Sequence, residues 1–297
     1  MIYPLSAIYG QKDAKWAIMA LLCIEDMKSL LITGKKGTGK TTMCRAITRY
    51  IGNIDVVCGC PFNCDPNGFL CTECSSSKEI SVCNRKRPFV ELPRNIGIDG
   101  LLGHKVGDFF HAGIIGSANR GILFIDRITT HGREIVNTVF DILALGRNEV
   151  EEFVHGAEFK IVANADYEDG VIDRHILQRF DFVVSTQPIR DVEGRMEISS
   201  RIALFSSSAE QFEARFARSE EKFIEKIAEY REGIKEIAVG SETIDRFLGK
   251  KIKEDTTKLV IKLAKLRALS ENRRVVSDAD IKFCMRHIPR LSAIIRK

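Results

Sequence analysis

Residues 29–42 read Ser-Leu-Leu-Ile-Thr-Gly-Lys-Lys-Gly-Thr-Gly-Lys-Thr-Thr. The apolar residues up to Thr33 predict a buried strand, and residues 40–50 predict a helix. Between them Gly34, Gly39, Lys40 and Thr41 fill the four fixed positions of a Walker A loop. This order of strand, glycine loop and helix predicts a binding site for a nucleoside triphosphate.

The residue types in this loop suit phosphate chemistry. Glycines let backbone N–H groups converge on a phosphate, and the following helix adds the positive end of its dipole. We expect the Lys40 ammonium to reach the β- and γ-phosphates and the Thr41 hydroxyl to bind Mg²⁺. The predicted nucleotide-binding residues of the loop are Gly34, Lys35, Lys36, Gly37, Thr38, Gly39, Lys40, Thr41 and Thr42.

The composition is typical of a globular protein without membrane spans. The 297 residues are 44% hydrophobic and 29% charged, with a formal net charge of +5. Residues 1–5 do not resemble a secretory signal, and no apolar run has the length of a membrane span. We therefore expect a cytoplasmic protein without a membrane partner, whose nine cysteines stay reduced. The modest charge argues against a nucleic-acid partner.

The order of predicted elements indicates an α/β fold. Helices are predicted over residues 11–24 and 132–145. Strands alternating with helices favour a parallel sheet covered by helices. The further strands are predicted over residues 89–93, 121–126, 159–164 and 181–185.

The pattern changes after Phe205. Residues 206–208 are three serines, which are typical of a linker, and strand patterns then disappear in favour of helical periodicity. Ser277 and Asp280 resemble the start of a capped helix. We therefore predict a nucleotide-binding domain over residues 1–205, with a cysteine-rich insertion at 55–87, and an all-helical domain over residues 206–297.

A second nucleotide motif lies at residues 122–126, which read Ile-Leu-Phe-Ile-Asp. An apolar strand that ends in aspartate is typical of a Walker B motif, in which the carboxylate lies beside the Mg²⁺ of the nucleotide. Thr41 and Asp126 are therefore the predicted Mg²⁺ ligands.

The insertion is rich in cysteine. Cys71-x-x-Cys74 has the spacing of a metal knuckle, and Cys60 and Cys64 can form a second pair. Thiolates clustered in a loop with little core of its own suit Zn²⁺ or an iron–sulfur cluster. Because the spacing does not match a common ferredoxin pattern, zinc is slightly favoured.

Several segments together resemble the AAA+ ATPases of the magnesium chelatase I-subunit family. Residues 118–126, Ala-Asn-Arg-Gly-Ile-Leu-Phe-Ile-Asp, are similar to the Walker B region of that family, and other similar segments are residues 3–11, 60–66, 87–93 and 177–180. The resemblance implies an AAA+ P-loop domain with a C-terminal helical lid domain.

The resemblance also implies ligands, partners and residue roles. Such subunits bind and hydrolyse ATP in a ring, as a homo-oligomer or a hetero-oligomer with chelatase subunits, and drive a partner that inserts a metal into a tetrapyrrole. Gly10 and Gln11 match the segment beside the adenine. Asn164 can act at the sensor position. Arg179 matches an arginine finger, which reaches the γ-phosphate held by a neighbouring subunit, and Asp126 and Arg179 are the implied catalytic residues.

Three departures from the family bear on hydrolysis. Arg127 replaces the glutamate that orients the attacking water, and an arginine is not a base in a protein. Residues 166–170 read Asp-Tyr-Glu-Asp-Gly where the family has Asn-Pro-Glu-Glu-Gly, and no arginine stands at 255–257, where the lid helix should carry one. We expect nucleotide binding with weak hydrolysis; the alternative is an active ATPase whose water is held by Glu168 or Asp169.

Other functions remain open at this level. A nucleotide-sensing, metal-binding adaptor without ATPase activity is the main alternative, and a DNA remodeller is disfavoured by the modest charge. His155, in a predicted hairpin, is expected to be a solvated histidine. The basic residues near the C-terminus predict a solvated helix face or a contact with an acidic partner: Arg286, His287, Arg290, Arg296 and Lys297.

Overall fold

The computed structural model describes residues 1–107, 109–240 and 252–291. Arg296 and Lys297, two residues of the predicted basic end, lie outside the described residues. The strands of the described part are β1 (Ser29–Gly34), β2 (Asn53–Val57), β3 (Val82–Lys86), β4 (Phe89–Glu91), β5 (Gly103–Val106), β6 (Phe109–Ala112), β7 (Ile122–Ile125), β8 (Arg147–Val150), β9 (Phe153–Gly156), β10 (Lys160–Asp166) and β11 (Phe182–Thr186).

The α-helices of the described part include every long helix predicted from the sequence. They are α1 (Lys12–Cys23), α2 (Lys40–Ala46), α3 (Thr72–Ser75), α4 (Ile98–Leu102), α5 (Ile114–Ala118), α6 (Arg133–Leu145), α7 (Arg174–Arg179), α8 (Val192–Ser207), α9 (Ala209–Gly233), α10 (Glu254–Ser270) and α11 (Asp278–His287). None of these helices is both long and apolar enough to cross a membrane.

The chain divides into two compact units. One combines Met1–Ile47 with the described residues from Leu177 onward, and the other is Thr48–Ile176. These units do not follow the predicted division at residue 205, because β11 returns the chain to the unit that contains β1. The assignment of residues 1–205 and 206–297 to separate functional domains stays a prediction.

The first unit is built on two parallel strands. β1 pairs with β11 in parallel, with Leu30 opposite Phe182 and Ile32 opposite Val184. Every residue of β1 is buried, which explains its continuous apolar run, since strands of parallel sheets are covered on both faces. Helix α1 packs against both strands.

Aromatic side chains attach the last described helix to β11. Phe182 lies with its ring centroid 5.6 Å from that of Trp16 in α1 and stacks on His287 of α11 at 5.0 Å. Phe283, also in α11, meets Trp16 edge-on at 5.4 Å. The predicted helix start is confirmed, because Ser277 and Asp280 form a reciprocal capping box. In the described residues beyond Phe205 the structure is helical apart from a single isolated bridge.

Residues 206–208 are not a linker, contrary to the sequence prediction. Ser206 and Ser207 end α8, and Ser208 begins α9 as its N-cap, with its side chain accepting a hydrogen bond from the backbone N–H of Gln211. Serine is a favoured N-cap residue, so the run serves as a sharp junction between two helices.

The second unit carries three more strands in parallel pairings. β7 lies between β10 and β4, with Leu123 opposite both Ile161 and Val90. All four residues of β7 are buried. The predicted strands at 121–126, 159–164 and 89–93 are therefore confirmed, and strands flanked by helices agree with the predicted α/β class.

Three antiparallel hairpins are added to this unit. They are the pairs β2–β3, β5–β6 and β8–β9. The predicted irregular insertion at 55–87 is thus anchored by a hairpin, since β2 and β3 pair from Asn53 opposite Lys86 to Val57 opposite Val82. The hairpin predicted between residues 149 and 160 is also present, as β8–β9.

The expectation that all cysteines are reduced is wrong for one pair. Cys58 and Cys83 form a disulfide, with their Cα atoms 5.1 Å apart. The physical reason is the register of β2 and β3, which brings the residue after β2 beside the second residue of β3 at a separation suited to a disulfide. The other seven cysteines are free thiols.

Asp181 holds the edge of the first unit together. Its Oδ2 accepts hydrogen bonds from the backbone N–H groups of Lys28 at 2.7 Å and Ser29 at 3.0 Å. Its Oδ1 accepts one from Arg290 at 2.8 Å. A single buried carboxylate therefore ties the start of β1 and the segment after α11 to the start of β11.

We predict that Asp181→Ala lowers the free energy of unfolding by about 3 kcal/mol, because it leaves the buried N–H of Ser29, the part-buried N–H of Lys28 and a cation without their acceptor. Chemical denaturation measures the change. The matched control is Asp26→Ala, whose carboxylate pairs with Lys262 with both side chains about half exposed; this substitution should cost less than about 1 kcal/mol. Equal losses in the two variants would show that Asp181 is not a structural tie.

Candidate functional site

The predicted phosphate loop lies between β1 and α2 and is organised around the Lys40 ammonium. Lys40 is only 4% exposed, and its Nζ donates hydrogen bonds to the backbone carbonyls of Gly34 at 3.0 Å and Lys35 at 2.6 Å. Gly37 and Gly39 have φ angles of 81° and 84°, a left-handed conformation that glycine adopts at little cost. The loop is therefore already curved around a fixed positive charge.

Thr186, at the end of β11, supports this loop from beneath. Its Oγ1 lies 3.0 Å from the carbonyl oxygen of Thr33 and 2.6 Å from the Thr38 hydroxyl. A Cβ at Gly34 would approach that Oγ1 to 2.1 Å, so only glycine fits there. Sequence reasoning missed Thr186, since nothing in its local pattern distinguishes it from an ordinary strand end.

The other predicted loop residues follow the same turn. Lys35, Lys36 and Gly37 are exposed, Thr41 is half-buried in the first turn of α2, and Thr42 is exposed beside it. Residues 35–37 thus lie at the surface.

Gly10 and Gln11, predicted to lie beside an adenine, are held at the end of β11. The Gln11 side-chain amide donates to the Gln187 carbonyl at 2.6 Å, and its carbonyl oxygen accepts from the Gln187 N–H at 3.1 Å. Both residues have positive φ, 65° for Gly10 and 50° for Gln11. This double hydrogen bond fixes the N-terminal segment in a tight turn.

In the second unit, Asp126 and Asn164 lie together at the ends of neighbouring strands. The Asn164 Nδ2 donates to Asp126 Oδ1 at 2.8 Å, and its Oδ1 accepts the backbone N–H of Arg127 at 2.7 Å. Asn164 is 1% exposed. A buried amide therefore fixes the rotamer of the Walker B carboxylate.

The side chain of Arg127 is paired with a carboxylate. Its guanidinium makes a two-point ion pair with Asp169, in which Nε lies 2.5 Å from Oδ2 and NH2 meets Oδ1. Asp166 Oδ2 lies 3.9 Å from the same Nε. The hydrogen bond to Asp169 raises the pKa of Arg127 further above its ordinary value, so this cation is permanent.

This pairing involves Asp169, one of the two carboxylates proposed to hold the water. Both oxygens of Asp169 are engaged by Arg127, so Asp169 is the counter-ion of that cation. Glu168 is exposed in the short helical turn Tyr167–Asp169. The signal that could have revealed the pairing was an arginine in place of a glutamate together with three acidic residues at 166–169, since opposite charges that lie close together attract each other.

Arg179, the predicted arginine finger, is the last residue of α7 and is half-buried. Ser29, at the start of β1, has its hydroxyl 3.5 Å from the Arg179 carbonyl oxygen. Helix α10 begins at Glu254, and residues 255–257 at its start are Asp-Thr-Thr, without the sensor arginine that the family carries there. The nearby cation Lys258 pairs with Glu254 at 2.6 Å.

The four predicted metal-binding cysteines converge in the insertion. The Sγ atoms of Cys60, Cys64, Cys71 and Cys74 all lie within 4.8 Å of one another. Their exposed fractions are 6%, 0%, 0% and 8%. Apolar side chains surround the group and complete a small buried cluster.

The thiols of this group perturb one another. Hydrogen bonds from the Cys64 and Cys71 thiols hold the pKa of Cys60 well below its ordinary value. The same contacts raise the pKa of Cys64 and Cys71, whereas burial is the main cause that raises the pKa of Cys74, to about 12. The pKa shifts thus reflect both the burial of the thiols and their mutual contacts.

His155 is fully buried, so the expectation of a solvated histidine is wrong. Its Nδ1 donates to the Gly156 carbonyl at 2.8 Å, and its Nε2 accepts from the Asn148 amide at 2.9 Å. Its ring stacks on Phe62 of the insertion at 4.6 Å. The hairpin places His155 inward because side chains alternate along a strand, and burial lowers its pKa.

Comparison with known proteins agrees with these motifs. The family model described as "Magnesium chelatase, subunit ChlI" matches residues 4–167, more than half of the 297-residue chain. The chain belongs to the magnesium chelatase I-subunit family. The resemblance stated from the sequence is thereby confirmed.

Individual members of the family match most of the chain. A protein of Methanocaldococcus jannaschii named "Magnesium-chelatase subunit ChlI homolog" is 32% identical over 96% of this chain and 83% of its own length. The magnesium-chelatase 67 kDa subunit of Heliobacterium mobile is 28% identical over 94% of this chain and 46% of its own length, so this chain spans less than half of that relative.

A solved structure shares the fold. It is a chain from the complex between subunits BchI and BchD of magnesium chelatase, with a TM-score of 0.56 and 24% identity, covering 95% of this chain and 93% of its own. The predicted fold class, an AAA+ P-loop domain with a parallel sheet and C-terminal helices, is confirmed. In this family member the Walker B aspartate is followed by Arg127 rather than glutamate.

We predict that the His155 imidazole stays neutral, with its proton on Nδ1, at pH values well below the ordinary histidine pKa of about 6.5. Protonation would place a second proton on Nε2, opposite the Asn148 amide donor, in a dry environment. Long-range ¹H–¹⁵N NMR of the imidazole measures both the tautomer and the pKa. A His155 pKa at or above about 6.5 would contradict this prediction.

Proposed function

We propose that this chain is an ATP-binding AAA+ subunit that assists metal insertion into a tetrapyrrole or a related metallocofactor, with weak ATP hydrolysis. The observation that carries the proposal is the loop of residues 34–42 closed around the buried Lys40 ammonium. Membership of the chelatase family supports the proposed process. The likeness to a chain of the BchI–BchD complex supports a hetero-oligomer with chelatase subunits.

The residues present fit ATP and Mg²⁺. The glycines at 37 and 39 leave open space where a Cβ would stand, and the loop of residues 35–37 lies at the surface, where its N–H groups are proposed to donate to phosphate oxygens. Lys40 is proposed to bind the β- and γ-phosphates, and Thr41 to bind Mg²⁺ through its hydroxyl. The family motif assigns Asp126 a part in Mg²⁺ binding, and Asn164 orients the Asp126 carboxylate. Gly10 and Gln11 are proposed to border the adenine.

ATP bound with Mg²⁺ supplies a phosphoanhydride bond whose cleavage drives motor proteins. In this chain the position that would orient the attacking water carries a guanidinium tied to Asp169. A permanent cation cannot accept hydrogen bonds from water or take its proton. Water positioning contributes orders of magnitude to phosphoryl transfer, so binding without efficient turnover is the expected behaviour.

Ring assembly is part of the proposal. Arg179 would reach the γ-phosphate of a neighbouring subunit as an arginine finger. The alternative is a nucleotide-sensing and metal-binding adaptor without ATPase activity. The Arg127–Asp169 ion pair favours this alternative in the case that the ion pair abolishes ATP hydrolysis completely. Partner capture distinguishes the two, since only the chelatase proposal requires metal-inserting subunits among the partners.

We further infer that Cys60, Cys64, Cys71 and Cys74 bind a metal, as Zn²⁺ or as an iron–sulfur cluster. Four thiols within 4.8 Å of one another support this inference. The site is separate from the nucleotide-binding residues in sequence and chemistry, so the two proposals are tested by different measurements.

We predict that Lys40→Ala abolishes binding of ATP–Mg²⁺ in isothermal titration calorimetry, because the variant loses the charge around which the loop is built. Lys222→Ala, at an exposed position of α9, is the matched control and should bind ATP like the parent chain. Equal affinity of the parent and Lys40→Ala would refute the assignment of the site.

We predict that the double variant Arg127→Glu, Asp166→Asn hydrolyses ATP at least about tenfold faster than the parent, a barrier difference of about 1.4 kcal/mol. The first change introduces a water-orienting carboxylate, and the second removes one of the acids that would repel it. Arg133→Glu, a charge reversal at a side chain 65% exposed, is the control and should leave turnover unchanged.

Turnover is measured at saturating ATP, with assembly followed by light scattering. The gain should disappear when Lys40→Ala is added to the double variant. Rapid hydrolysis by the parent chain, lost on Lys40→Ala, would refute weak hydrolysis and show that another group orients the water.

A further inference from the structure

The cysteine group of the insertion consists of Cys60, Cys64, Cys71 and Cys74. We propose that it binds one tetrahedrally coordinated Zn²⁺ ion, as a closed structural site that fastens the insertion to two neighbouring hairpins. This inference rests on the proposal that the group binds a metal and commits it to one ion, one geometry and one role.

The spacing of the sulfurs fits a single ion. With Zn–S bonds of about 2.3 Å, the sulfurs of a regular tetrahedron lie about 3.8 Å apart. The Sγ atoms of Cys60 and Cys71 are 4.0 Å apart, and every pair in the group is within 4.8 Å. An iron–sulfur cluster places its irons and bridging sulfides between the thiolates and would hold them farther apart than this.

Backbone N–H groups already point at the sulfurs. The Cys71 N–H donates to Cys64 Sγ at 3.1 Å, and the Cys74 N–H donates to Cys71 Sγ at 3.5 Å. The second of these bonds makes Cys71 the N-cap of α3. Donors aimed at sulfur stabilise thiolates, which are the form that binds zinc, so the loop is arranged for charged ligands although it is buried.

The surroundings close the site. Cys64 and Cys71 are completely buried, and apolar side chains pack around the group: Val57, Phe62, Leu70, Phe110 and Phe153. Catalytic zinc sites keep a position for water or substrate, whereas structural sites with four thiolates do not. Because all four cysteines of the group are buried, the geometry assigns a structural role.

The contacts of the loop define what the ion would stabilise. Phe62, between Cys60 and Cys64, lies 5.1 Å from Phe153 of β9 and 6.0 Å from Phe110 of β6, measured between ring centroids. Thr72, between Cys71 and Cys74, accepts the backbone N–H of Val154 at 2.9 Å and donates to its carbonyl at 3.3 Å. An ion that joins the two cysteine pairs would therefore hold Phe62 and Thr72 in their contacts with the β5–β6 and β8–β9 hairpins.

The test begins with the full chain purified without added metal under anaerobic conditions. Elemental analysis should find one zinc per chain and little iron. Exchange with Co²⁺ should give the visible absorption of a tetrahedral cobalt–thiolate centre, a readout that needs no variant and so does not depend on how a substitution folds. One iron per chain, or an iron–sulfur spectrum, would overturn the zinc assignment and keep metal binding.

Variants test the ligand set. Cys64→Ser and Cys71→Ser should each lower the zinc content to below about a tenth of an equivalent after dialysis. Each variant keeps only three thiolates, and a buried serine hydroxyl is a weak ligand for the ion. Cys23→Ser, which changes a free cysteine outside the insertion, is the matched control and should keep one zinc. Loss of zinc from Cys23→Ser, or its retention by both ligand variants, would overturn the assignment.

Proteolysis tests the role. Removal of zinc with a chelator should accelerate tryptic cleavage at Lys78, in the insertion, at least about fivefold, because an opened loop is cut in proportion to its open population. Cleavage within α9 should be unchanged. Equal cleavage at Lys78 with and without zinc would refute the structural role. A chain that binds ATP but contains no metal would overturn this inference and the metal-binding proposal while leaving the nucleotide proposal intact.

Discussion

The parallel register of β7 and β10 places Ala163 opposite Ile125, so Asn164 follows beside Asp126 and Arg127. One buried amide then serves both residues: its NH₂ orients the Asp126 carboxylate, and its carbonyl oxygen accepts the Arg127 N–H. With that N–H fixed, Arg127 takes a left-handed backbone with φ of 55°, and its side chain meets Asp169. The orientation of the carboxylate and the position of the cation therefore depend on the same strand pairing.

The charges around Arg127 explain how a substitution that removes the catalytic glutamate of the family is tolerated. Asp166 and Asp169 are each less than 15% exposed at their side chains, and two such acids close together would repel each other without a cation between them. Arginine supplies that cation with two parallel hydrogen bonds, a geometry that lysine cannot reproduce. Under the proposed function, the cost to hydrolysis and the gain in local stability are two results of one change, and the chain retains a nucleotide loop suited to binding rather than to rapid turnover.

The sequence predicted those features whose residues are adjacent in the chain. The loop of residues 34–41 is such a feature, because strand, glycines, lysine and helix occur in one continuous order, and the cysteine pairs could be grouped because each pair is local. Prediction failed where a partner comes from a distant strand. Thr186 beneath the loop, Asp169 against Arg127, the Cys58–Cys83 disulfide and the burial of His155 all depend on strand register. The two compact units were also missed, because the return of β11 to β1 has no local signal.

The insertion separates its cysteines by accessibility, and this separation explains how one loop can hold both a disulfide and a thiolate metal site. Cys83 is exposed and Cys58 half-buried, on a two-stranded hairpin open to oxidants. The four cysteines of the proposed zinc site are at most 8% exposed. Oxidation of a thiol requires access as well as a thiolate, and a bound ion would further withdraw those sulfurs from disulfide exchange. The core around Phe62 is small for a loop of this length. The Cys58–Cys83 disulfide fixes the loop at its neck, and the proposed zinc ion would fix it at its centre.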